Sequence, residues 1–508
     1  MNAAELLLGP AALARHGART ALVCAEEAVS YSDMAARVAR SSAALAALGV
    51  RPGERVLLLM RDTPEFAAAW LGAVRAGAVA IALNNKLNEA EYRHILADSG
   101  ARLAIVEDIF AAARSDLTAE LARDGRIAVA GDASGLPAWR DRLRTAPEIP
   151  ALDVRPETPA FLLYSSGTTG KPKGIVHAHR GFGSLGLAFR ALDIGEGDRI
   201  FTTSKFFFAY GLEHGLLGSL ALGATSIVYP DWPDPEAVID LVARHRPAAM
   251  FSVPTIYRRL LAQPHRRLAP FRQVRRFVAG GERISSQLVG QWHEAVGREL
   301  LNLYGMSETF CACMMTPPGT SDGARTGVPF PGVEVRLRDT AGSQPARDEP
   351  GVLWIRHPAQ AAGYANLPEQ TREQFSDGWF CSRDVFVRDA EGYYVHQGRS
   401  DELLKIAGQW VQPGELEELA ALEGAIAEAA CVPVPDADGL ERLALFVTAH
   451  GDPAAAQRAA MEACERALPR HKRPTWVRAV DELPRTATGK VQRFKLREIL
   501  ERELSGKD

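Results

Sequence analysis

The stretch Tyr164–Gly174 reads YSSGTTGKPKG and follows directly on the apolar run PAFLLY. It combines glycines, serines, threonines and lysines in eleven residues. Glycines let a backbone close around an anion, hydroxyls donate hydrogen bonds, and lysines neutralise negative charge. Because a glycine-rich loop after a strand presents N–H groups well to phosphate, the stretch predicts a phosphate-binding loop.

This loop fits neither of the two common nucleotide motifs. Gly-x4-Gly-Lys-[Ser/Thr] does not occur in it, and neither does Gly-x-Gly-x-x-Gly. On composition alone, a polar turn between two strands is the better interpretation. The order of the residues is more specific than their composition and favours the phosphate loop.

The sequence around the loop alternates strand and helix patterns. The runs ERVLLLM, AVAIAL and ARLAIVE predict short strands buried on both faces. Between them, Thr63-Pro64 predicts one helix start, and a capping-box-like Asn88-Glu89-Ala90-Glu91 predicts another. The runs ATSIVYP, AAMFSVP and RRFVAGG, with the helical PEAVIDLVARH, repeat the pattern farther along the chain. This alternation indicates parallel α/β layers.

The pattern changes after about Gly327. Short apolar runs separated by Pro, Gly and Asp then favour antiparallel β structure, and from Asp401 onward the pattern is mixed. The predicted fold class is α/β. Residues 1–400 would form a large N-terminal domain of layered α/β subdomains plus a β-rich subdomain, and residues 401–508 a small mobile α+β C-terminal domain.

Composition limits the partners and the cellular location. With 508 residues and a formal net charge of -3, the chain gives no electrostatic reason to bind nucleic acid or an acidic membrane. Six cysteines are too sparse for a disulfide framework, and Cys311-x-Cys313 has no second ligand pair for zinc. The N-terminus is a poor secretory signal. We therefore expect a cytoplasmic protein without nucleic-acid or membrane partners; a homodimer is left open.

Five motifs together resemble the adenylate-forming superfamily, which includes acyl- and aryl-CoA synthetases, nonribosomal adenylation domains and firefly-type luciferases. The first is YSSGTTGKPKG, and the others follow in the family's order. They are NLYGMSET (Asn302–Thr309), DGWFCSRD (Asp377–Asp384), GRSDELLKIAGQWVQPGELE (Gly398–Glu417) and LPRTATGKVQR (Leu483–Arg493). One departure is Arg383, which stands where the family's Thr-Gly-Asp has glycine.

The resemblance implies a reaction in two halves. A carboxylate attacks the α-phosphate of ATP to give an acyl-adenylate and pyrophosphate, and a thiol, usually that of CoA, then displaces AMP. Such chemistry depends on positioning and on charge neutralisation. The implied cofactor is Mg²⁺, and ATP and CoA are co-substrates.

The matched motifs also imply roles for single residues. Glu308 would ligate Mg²⁺, Lys490 would contact the α-phosphate region during adenylation, and Thr169 completes the catalytic set. Asp384 and Arg399 would bind the ribose. The positions matched to ATP and AMP binding are Ser165, Ser166, Gly167, Thr168, Thr169, Gly170, Lys171, Gly280, Gly281, Glu282, Tyr304, Gly305, Thr309, Asp384 and Arg399.

The acid is indicated by the run SKFFFAYGLEHG, in which Phe-Phe-Ala-Tyr-Gly resembles the benzoate-CoA ligase type. The acyl-pocket residues carried over are Ala209, Tyr210, Gly280 and Gly305, and aromatic and small residues together suit a flat ring acid. Two alternatives stay open. One is a medium-chain or alicyclic acyl-CoA synthetase. The other is a stand-alone adenylation enzyme loading a carrier protein, disfavoured because no acidic residue lies between Phe206 and Leu212.

The last two motifs imply a C-terminal domain that rotates between the half-reactions. Asp401 matches the hinge, and Gly408 and Trp410 match the CoA pantetheine channel. Hinges need only a few residues that absorb a change in φ and ψ. The basic cluster RHKRP at Arg470–Pro474 would meet the CoA phosphates or form a solvated patch.

Overall fold

The computed structural model describes residues 1–133, 135–146, 149–166, 171–339, 342–400, 404–406, 409–485 and 491–504. The strands are β1 Thr20–Cys24, β2 Glu27–Ser30, β3 Arg55–Leu59, β4 Val79–Ala82, β5 Leu103–Glu107, β6 Ile127–Ala130, β7 Pro159–Ser166, β8 Pro172–Ala178, β9 Arg199–Thr202, β10 Thr225–Val228, β11 Ala249–Ser252, β12 Arg276–Gly280, β13 Leu300–Tyr304, β14 Met314–Met315, β15 Val328–Pro329, β16 Glu334–Arg338, β17 Gly351–Arg356, β18 Gly363–Tyr364, β19 Phe375–Ser376, β20 Trp379–Arg388, β21 Tyr394–Arg399, β22 Leu404–Ile406, β23 Gln409–Val411, β24 Ile426–Pro435, β25 Glu441–Ala449 and β26 Trp476–Ala479.

The α-helices are α1 Ala3–Leu8, α2 Pro10–His16, α3 Tyr31–Ala47, α4 Pro64–Arg75, α5 Glu89–Ser99, α6 Asp108–Ala113, α7 Ser115–Arg123, α8 Trp139–Thr145, α9 Leu187–Ala191, α10 Ala209–Leu212, α11 Gly218–Ala221, α12 Pro235–His245, α13 Pro254–Leu261, α14 Ser286–Val296, α15 Pro368–Gln374, α16 Pro413–Ala421, α17 Pro453–Ala467 and α18 Arg493–Leu504. Short 3-10 helices cover His179–Ser184, His265–Gln273 and Arg470–Lys472, and a π-helical turn covers Glu213–Leu217.

A seven-stranded sheet carries the predicted phosphate loop. Its order is β18–β8–β7–β4–β3–β5–β6. The strands β7, β4, β3, β5 and β6 are mutually parallel, whereas β8 returns antiparallel to β7. The predicted strands in ERVLLLM, AVAIAL and ARLAIVE are confirmed as β3, β4 and β5.

Strand β3 is apolar along its length because both of its faces are covered. Val56 and Leu58 face one hydrophobic core, and Leu57 and Leu59 face another. Successive side chains of a strand point to opposite faces, so a strand buried on both sides needs a continuous apolar run. The first of these cores also includes Phe161 of β7.

Helix starts in this region follow the predicted capping chemistry. Thr63 accepts a hydrogen bond from the Phe66 N–H at 3.1 Å, with Pro64 opening α4. Asn88 and Glu91 form a reciprocal capping box at the start of α5. Both satisfy N–H groups that a helix start would leave unpaired.

A nine-stranded sheet forms the second layer. Its order is β15–β14–β13–β12–β11–β9–β10–β1–β2, with a parallel centre and antiparallel strands at both ends. Leu22 of β1 and Val228 of β10 share a core with Leu58 and Phe161 of the seven-stranded sheet. The two sheets are therefore joined by one hydrophobic core.

The rest of the chain forms smaller sheets. A five-stranded sheet has the order β16–β17–β20–β19, with β21 pairing with β20, in the region predicted to be rich in β structure. Near the C-terminus, β24 is antiparallel to β25 and β25 is parallel to β26. Hydrophobic clusters that include Leu416 and Leu496 cover this three-stranded sheet. A mixed α+β architecture results, as predicted.

The chain divides into two compact units. The first comprises Met1–Arg336, Trp354–Cys381 and Asp389–Val395, and the second comprises Leu337–Leu353, Ser382–Arg388 and His396–Asp508. The domain division after residue 400 stays a prediction. Within the part of the chain that the structure describes, no helix has the length and apolarity needed to cross a bilayer.

Candidate active site

The predicted phosphate loop joins two antiparallel strands. Ser165 of β7 pairs with Lys173 of β8, and Ser166 pairs with Pro172. Lys171 is exposed at the start of the return strand. Gly167, Thr168, Thr169 and Gly170 lie outside the described residues. Strands β7 and β8 therefore form a hairpin beside the parallel strands, and Lys171 and Lys173 lie near the end of the hairpin where the two strands are joined.

Glu308 lies beside this hairpin. Its Oε1 is 2.9 Å from the Tyr364 hydroxyl, which also lies 2.7 Å from Gln374 Oε1. The Lys173 ammonium is 3.4 Å from Glu308 Oε1 and 3.8 Å from the centre of the Tyr364 ring. Two motifs far apart in sequence thus meet in one polar cluster of Lys173, Glu308 and Tyr364.

The backbone before and after Glu308 is held locally. The Thr309 hydroxyl lies 3.1 Å from the carbonyl oxygens of both Met306 and Cys311 and can donate a hydrogen bond to either. Thr309 is fully buried. Thr309 therefore supports the turn, and its burial leaves it little surface for a nucleotide. Tyr304 ends β13 and is half-buried, and Gly305 is exposed immediately after it.

The residues matched to the adenine wall follow β12. Gly280 is its last residue, and Gly281 adopts a left-handed φ of 83°, which glycine tolerates without strain. The Glu282 carboxylate accepts a hydrogen bond from the Thr255 hydroxyl at 2.8 Å. The strand thus ends in a turn at the carboxyl edge of the parallel sheet, where α/β proteins commonly bind ligands.

Two of the predicted acyl-pocket residues, Tyr210 and Gly280, lie against each other. A Cβ placed on Gly280 would lie 3.1 Å from the Tyr210 ring, and one on Gly305 would lie 3.1 Å from Ala312 Cα. The Tyr210 hydroxyl lies 3.3 Å from the carbonyl oxygens of both Ser252 and Val278 and can donate a hydrogen bond to either. Tyr210 therefore offers its ring face, since its hydroxyl is engaged by the backbone.

The segment before the pocket is anchored by a buried ion pair. Lys205 Nζ lies 3.1 Å from Asp62 Oδ2 and donates to the Tyr229 carbonyl at 2.7 Å. The Phe206 N–H lies 3.2 Å from both Asp62 oxygens. Of the three phenylalanines that follow, Phe206 and Phe207 are buried in the hydrophobic core. Asp62 therefore ties the approach to α10 to the end of β3.

Two polar residues that the sequence motifs do not single out follow the pocket segment. Glu213 and His214 open the π-helical turn after α10, and each is 1% exposed. Glu213 Oε2 accepts from the Ala312 N–H at 3.1 Å, and His214 Nε2 is 3.6 Å from Oε2. Within the described chain, Glu213 Oε1 and His214 Nε2 have no hydrogen-bond partner. The interval from Phe206 to Leu212, which contains no acidic residue, ends one position before Glu213.

Burial shifts the ionisation of both side chains. It raises the pKa of Glu213 to about 8, against the opposing effects of the Ala312 N–H and the Cys311 thiol. It lowers the pKa of His214 to about 4. Desolvation disfavours the charged form of either group. At neutral pH both side chains are therefore largely uncharged.

The second unit contains the predicted ribose residues. Arg399 Nη1 is 3.6 Å and His396 Nε2 is 3.8 Å from Asp384 Oδ1. Asp384 is buried, and its N–H donates to the Ser382 hydroxyl at 3.0 Å. The structure thus brings Asp384 and Arg399 together, as the resemblance implies.

The remaining predicted positions fall mostly outside the described residues. Asp401, Gly408 and Lys490 are among them, and of Trp410 only the backbone in β23 is described. In the basic cluster Arg470–Pro474, Lys472 forms a 2.7 Å ion pair with Glu415. This pairing reduces the charge that Lys472 could offer to a phosphate.

Sequence profiles of two families match the chain. The profile of the AMP-binding enzyme covers residues 10–365, and that of the AMP-binding enzyme C-terminal domain covers residues 415–490. The chain belongs to the AMP-binding enzyme family. The predicted membership of the adenylate-forming superfamily is thereby confirmed, together with the predicted fold class.

Several similar proteins of this family are ligases of aromatic acids. The chain is 41% identical to a 3-hydroxybenzoate–CoA/4-hydroxybenzoate–CoA ligase of Thauera aromatica, over 99% of this chain and 98% of the relative. It is 42% identical to a 3-hydroxybenzoate–CoA ligase of Aromatoleum sp. (strain CIB), over 98% and 97%. The crystal structure of a benzoate CoA ligase from Burkholderia xenovorans LB400 superposes with a TM-score of 0.88 at 33% identity, covering 98% and 100%. The predicted class of AMP-forming aryl-CoA ligases is confirmed.

Proposed function

We propose that this AMP-binding enzyme is a 3-hydroxybenzoate–CoA ligase. It would convert the acid and ATP to the aryl-adenylate and pyrophosphate, and then transfer the aroyl group to CoA with release of AMP. The two hydroxybenzoate ligases at 41% and 42% identity are similar over nearly their whole length, and both names include 3-hydroxybenzoate. The packing of the Tyr210 ring against Gly280 carries the proposal in the structure, because it gives a flat aromatic wall next to a residue without a side chain.

ATP would be held by residues from several of the motifs. Ser165, Lys171 and the glycine- and threonine-rich residues 167–170 would hold the phosphates, as the motif implies. Asp384 would accept hydrogen bonds from the ribose hydroxyls, with Arg399 beside it. Charge-assisted hydrogen bonds of this kind are stronger than neutral ones, which suits the recognition of a polyanion and its sugar.

Mg²⁺ fits the surroundings of Glu308. A hard cation prefers carboxylate and phosphate oxygens, and the described contacts of this carboxylate use Oε1. Glu308 would hold the ion, and the ion would supply positive charge to neutralise the phosphates during adenylation. Lys173, 3.4 Å from Oε1, balances the charge of the carboxylate. Tyr364 orients the carboxylate through its hydroxyl.

The roles proposed for the remaining predicted residues rest on the sequence motifs. We propose Lys490 as the cation at the α-phosphate, with Thr169 in the phosphate loop, Asp401 as the hinge, and Gly408 and Trp410 in the CoA channel. A lysine suits this task because a compact, mobile cation can be withdrawn after adenylation. The cytoplasmic location, where ATP and CoA are available, belongs to the same proposal, and the homodimer stays a prediction.

A substrate panel tests the reaction. Purified enzyme with Mg²⁺-ATP and CoA is given 3-hydroxybenzoate, 4-hydroxybenzoate, benzoate, 3-aminobenzoate or octanoate, and release of AMP and formation of the thioester are measured. We expect the highest kcat/KM with 3-hydroxybenzoate and little turnover of octanoate, because a flat pocket excludes a flexible chain. Preference for octanoate, or release of ADP instead of AMP, would contradict the proposal.

A further inference from the structure

Glu213 and His214 lie on the same side of the helical segment as the pocket residues Ala209 and Tyr210. Each follows its counterpart by four positions, which brings side chains onto one helix face. The His214 and Tyr210 rings are 4.8 Å apart between centres. From the opposite side, Ala312 holds Glu213 through its N–H and lies 3.1 Å from the position of a Cβ on Gly305. Glu213 and His214 thus adjoin the residues of the predicted acyl pocket.

The hydrogen bond of His214 fixes what its other ring nitrogen offers. Nδ1 is 3.0 Å from the Tyr210 carbonyl oxygen, which can only accept, so Nδ1 carries the proton. In a neutral imidazole the other nitrogen is then a hydrogen-bond acceptor. His214 Nε2, which is buried and has no partner in the described chain, is therefore an acceptor.

The contacts of Glu213 define its free oxygen in the same way. Oε2 accepts from the Ala312 N–H at 3.1 Å, so the proton of the neutral acid belongs on Oε1. Oε1 is buried without a conventional partner among the described residues, although the Cys311 thiol, a weak donor, interacts with the same carboxyl group. Glu213 therefore offers a donor next to the acceptor of His214.

We propose that Glu213 and His214 recognise the ring hydroxyl of the substrate and so determine specificity for a hydroxybenzoate over benzoate. Resting on the proposed function, this inference names the residues that select its substrate. The Glu213 Oε1–H would donate to the phenolic oxygen, and the phenolic O–H would donate to His214 Nε2. One hydroxyl group thereby satisfies both unpaired atoms.

Other ring substituents satisfy the pair less well. Benzoate leaves both groups unpaired, and an unsatisfied buried donor or acceptor costs about 1–3 kcal/mol. A ring amine donates to His214 Nε2 but is a poor acceptor for the Glu213 proton. Sites built to bind a substrate hydroxyl reject analogues without it far more strongly than apolar pockets reject a missing methylene. A ring hydroxyl is therefore the substituent that this site selects.

The substitution Glu213→Leu tests the inference. The ratio of kcat/KM for 3-hydroxybenzoate to kcat/KM for benzoate is measured by acid-dependent exchange of pyrophosphate into ATP, so that CoA plays no part. We expect the ratio to fall about 10–100-fold, through loss of activity on 3-hydroxybenzoate and not on benzoate. Glu65→Leu is the matched control, since Glu65 Oε1 is also buried without a partner in the described chain, and this variant should keep the wild-type ratio.

The outcomes separate the two proposals. Wild-type enzyme that shows no preference for hydroxybenzoates overturns the proposed substrate and this inference with it. Wild-type preference that survives in Glu213→Leu overturns the inference alone. Equal gain of 3-aminobenzoate and 3-hydroxybenzoate activity over benzoate in the wild type would show a general polar pocket and also overturn it.

A second measurement does not depend on the folding of the leucine variant. As pH rises through about 8, the wild-type ratio should fall, because ionised Glu213 loses its donor. Glu213→Gln keeps an amide N–H donor, so its ratio should stay flat from pH 7 to pH 9. A flat wild-type ratio over this range would contradict the inference.

The groups that face Glu213 do not share this titration. His214 is already neutral above its pKa of about 4, and burial raises the pKa values of Cys311 and Tyr210 above their ordinary values. Cys313 and His357 lie on the far side of Ala312. Burial lowers the pKa of His357 to about 4, so it too is neutral in this range.

Discussion

At the scale of single residues, Arg383 is the clearest departure from the family pattern. It stands in the place of a glycine and adopts a left-handed φ of 61°. Ser382 donates to the Leu353 carbonyl at 2.7 Å on one side, and the Ser400 N–H donates to the Arg383 carbonyl at 2.7 Å. These bonds keep the backbone in the conformation that glycine would adopt most easily. Arg383 therefore carries backbone strain beside Asp384.

Replacing Arg383 by glycine should relieve this strain. A non-glycine residue in the left-handed region costs about 1–3 kcal/mol. Arg383→Gly should therefore raise the free energy of unfolding of the part of the protein that includes β20 by about 1 kcal/mol. Urea denaturation followed by tryptophan fluorescence measures the change. Arg388→Gly in the same strand is the control; φ there is not left-handed, so glycine should destabilise the strand by about 0.5–1 kcal/mol. Equal destabilisation by both substitutions would contradict the strain.

What could be predicted at this scale depended on motifs. Glu308, Asp384 and Arg399 were found because they stand in recognisable strings, and the structure brings Asp384 and Arg399 together. Glu213 and His214 belong to no such string. Their importance comes from burial and from the direction of single hydrogen bonds, and neither property is visible in a sequence.

At the scale of secondary structure, the end of β12 shapes the acyl pocket. A Cβ on Gly280 would lie 3.1 Å from both the Leu303 carbonyl oxygen and the Tyr210 ring. The backbone oxygen cannot move without disturbing the pairing of β12 with β13, so the tyrosine must yield. The absence of a side chain at Gly280 therefore defines where the Tyr210 ring can lie.

Gly280→Ala should consequently impair binding of the acid. We expect KM for 3-hydroxybenzoate to rise about tenfold, with a smaller change in KM for ATP, because the displaced Tyr210 ring narrows the acyl pocket. Steady-state pyrophosphate release measures both constants. Gly290→Ala in α14 is the control, since nothing lies within 4 Å of its added Cβ. An unchanged KM for the acid in Gly280→Ala would place the substrate elsewhere.

The elements themselves were predictable where their pattern is local. The apolar runs of β3, β4 and β5 and the caps of α4 and α5 need only neighbouring residues to be recognised. The two-residue strands β14, β15 and β18 exist only through pairing, and β18 pairs with β8 from a distant part of the sequence. Pairing decides such elements, so sequence pattern alone does not reveal them.

At the scale of the whole molecule, the two half-reactions should use different residues. Lys490→Ala removes a cation from the developing phosphate charge and should slow adenylation by about 10²-fold or more. Thioester formation from synthetic 3-hydroxybenzoyl-adenylate and CoA should be largely retained, because the adenylate no longer needs that cation. Pyrophosphate exchange and single-turnover thioester formation measure the two steps separately.

Two further variants make this comparison decisive. Lys495→Ala removes an exposed lysine of α18 and should leave both steps unchanged. Asp401→Pro restricts φ at the hinge and should let adenylate accumulate while thioester formation stalls. Equal loss of both half-reactions in Lys490→Ala, with an unchanged circular dichroism spectrum, would rule out the alternation of the C-terminal domain.

The ion pair between Asp62 and Lys205 also affects when the chain can fold during its synthesis. Asp62 leaves the ribosome 144 residues before Phe206, and its carboxylate accepts a hydrogen bond from the Phe206 N–H in the folded protein. At 5–20 residues per second this interval lasts about 7–30 s. Burying a carboxylate without its partner is strongly unfavourable, so the nascent chain cannot close over the end of β3 during that time. We therefore expect the end of β3 to stay exposed to water until the segment around Lys205 has been made.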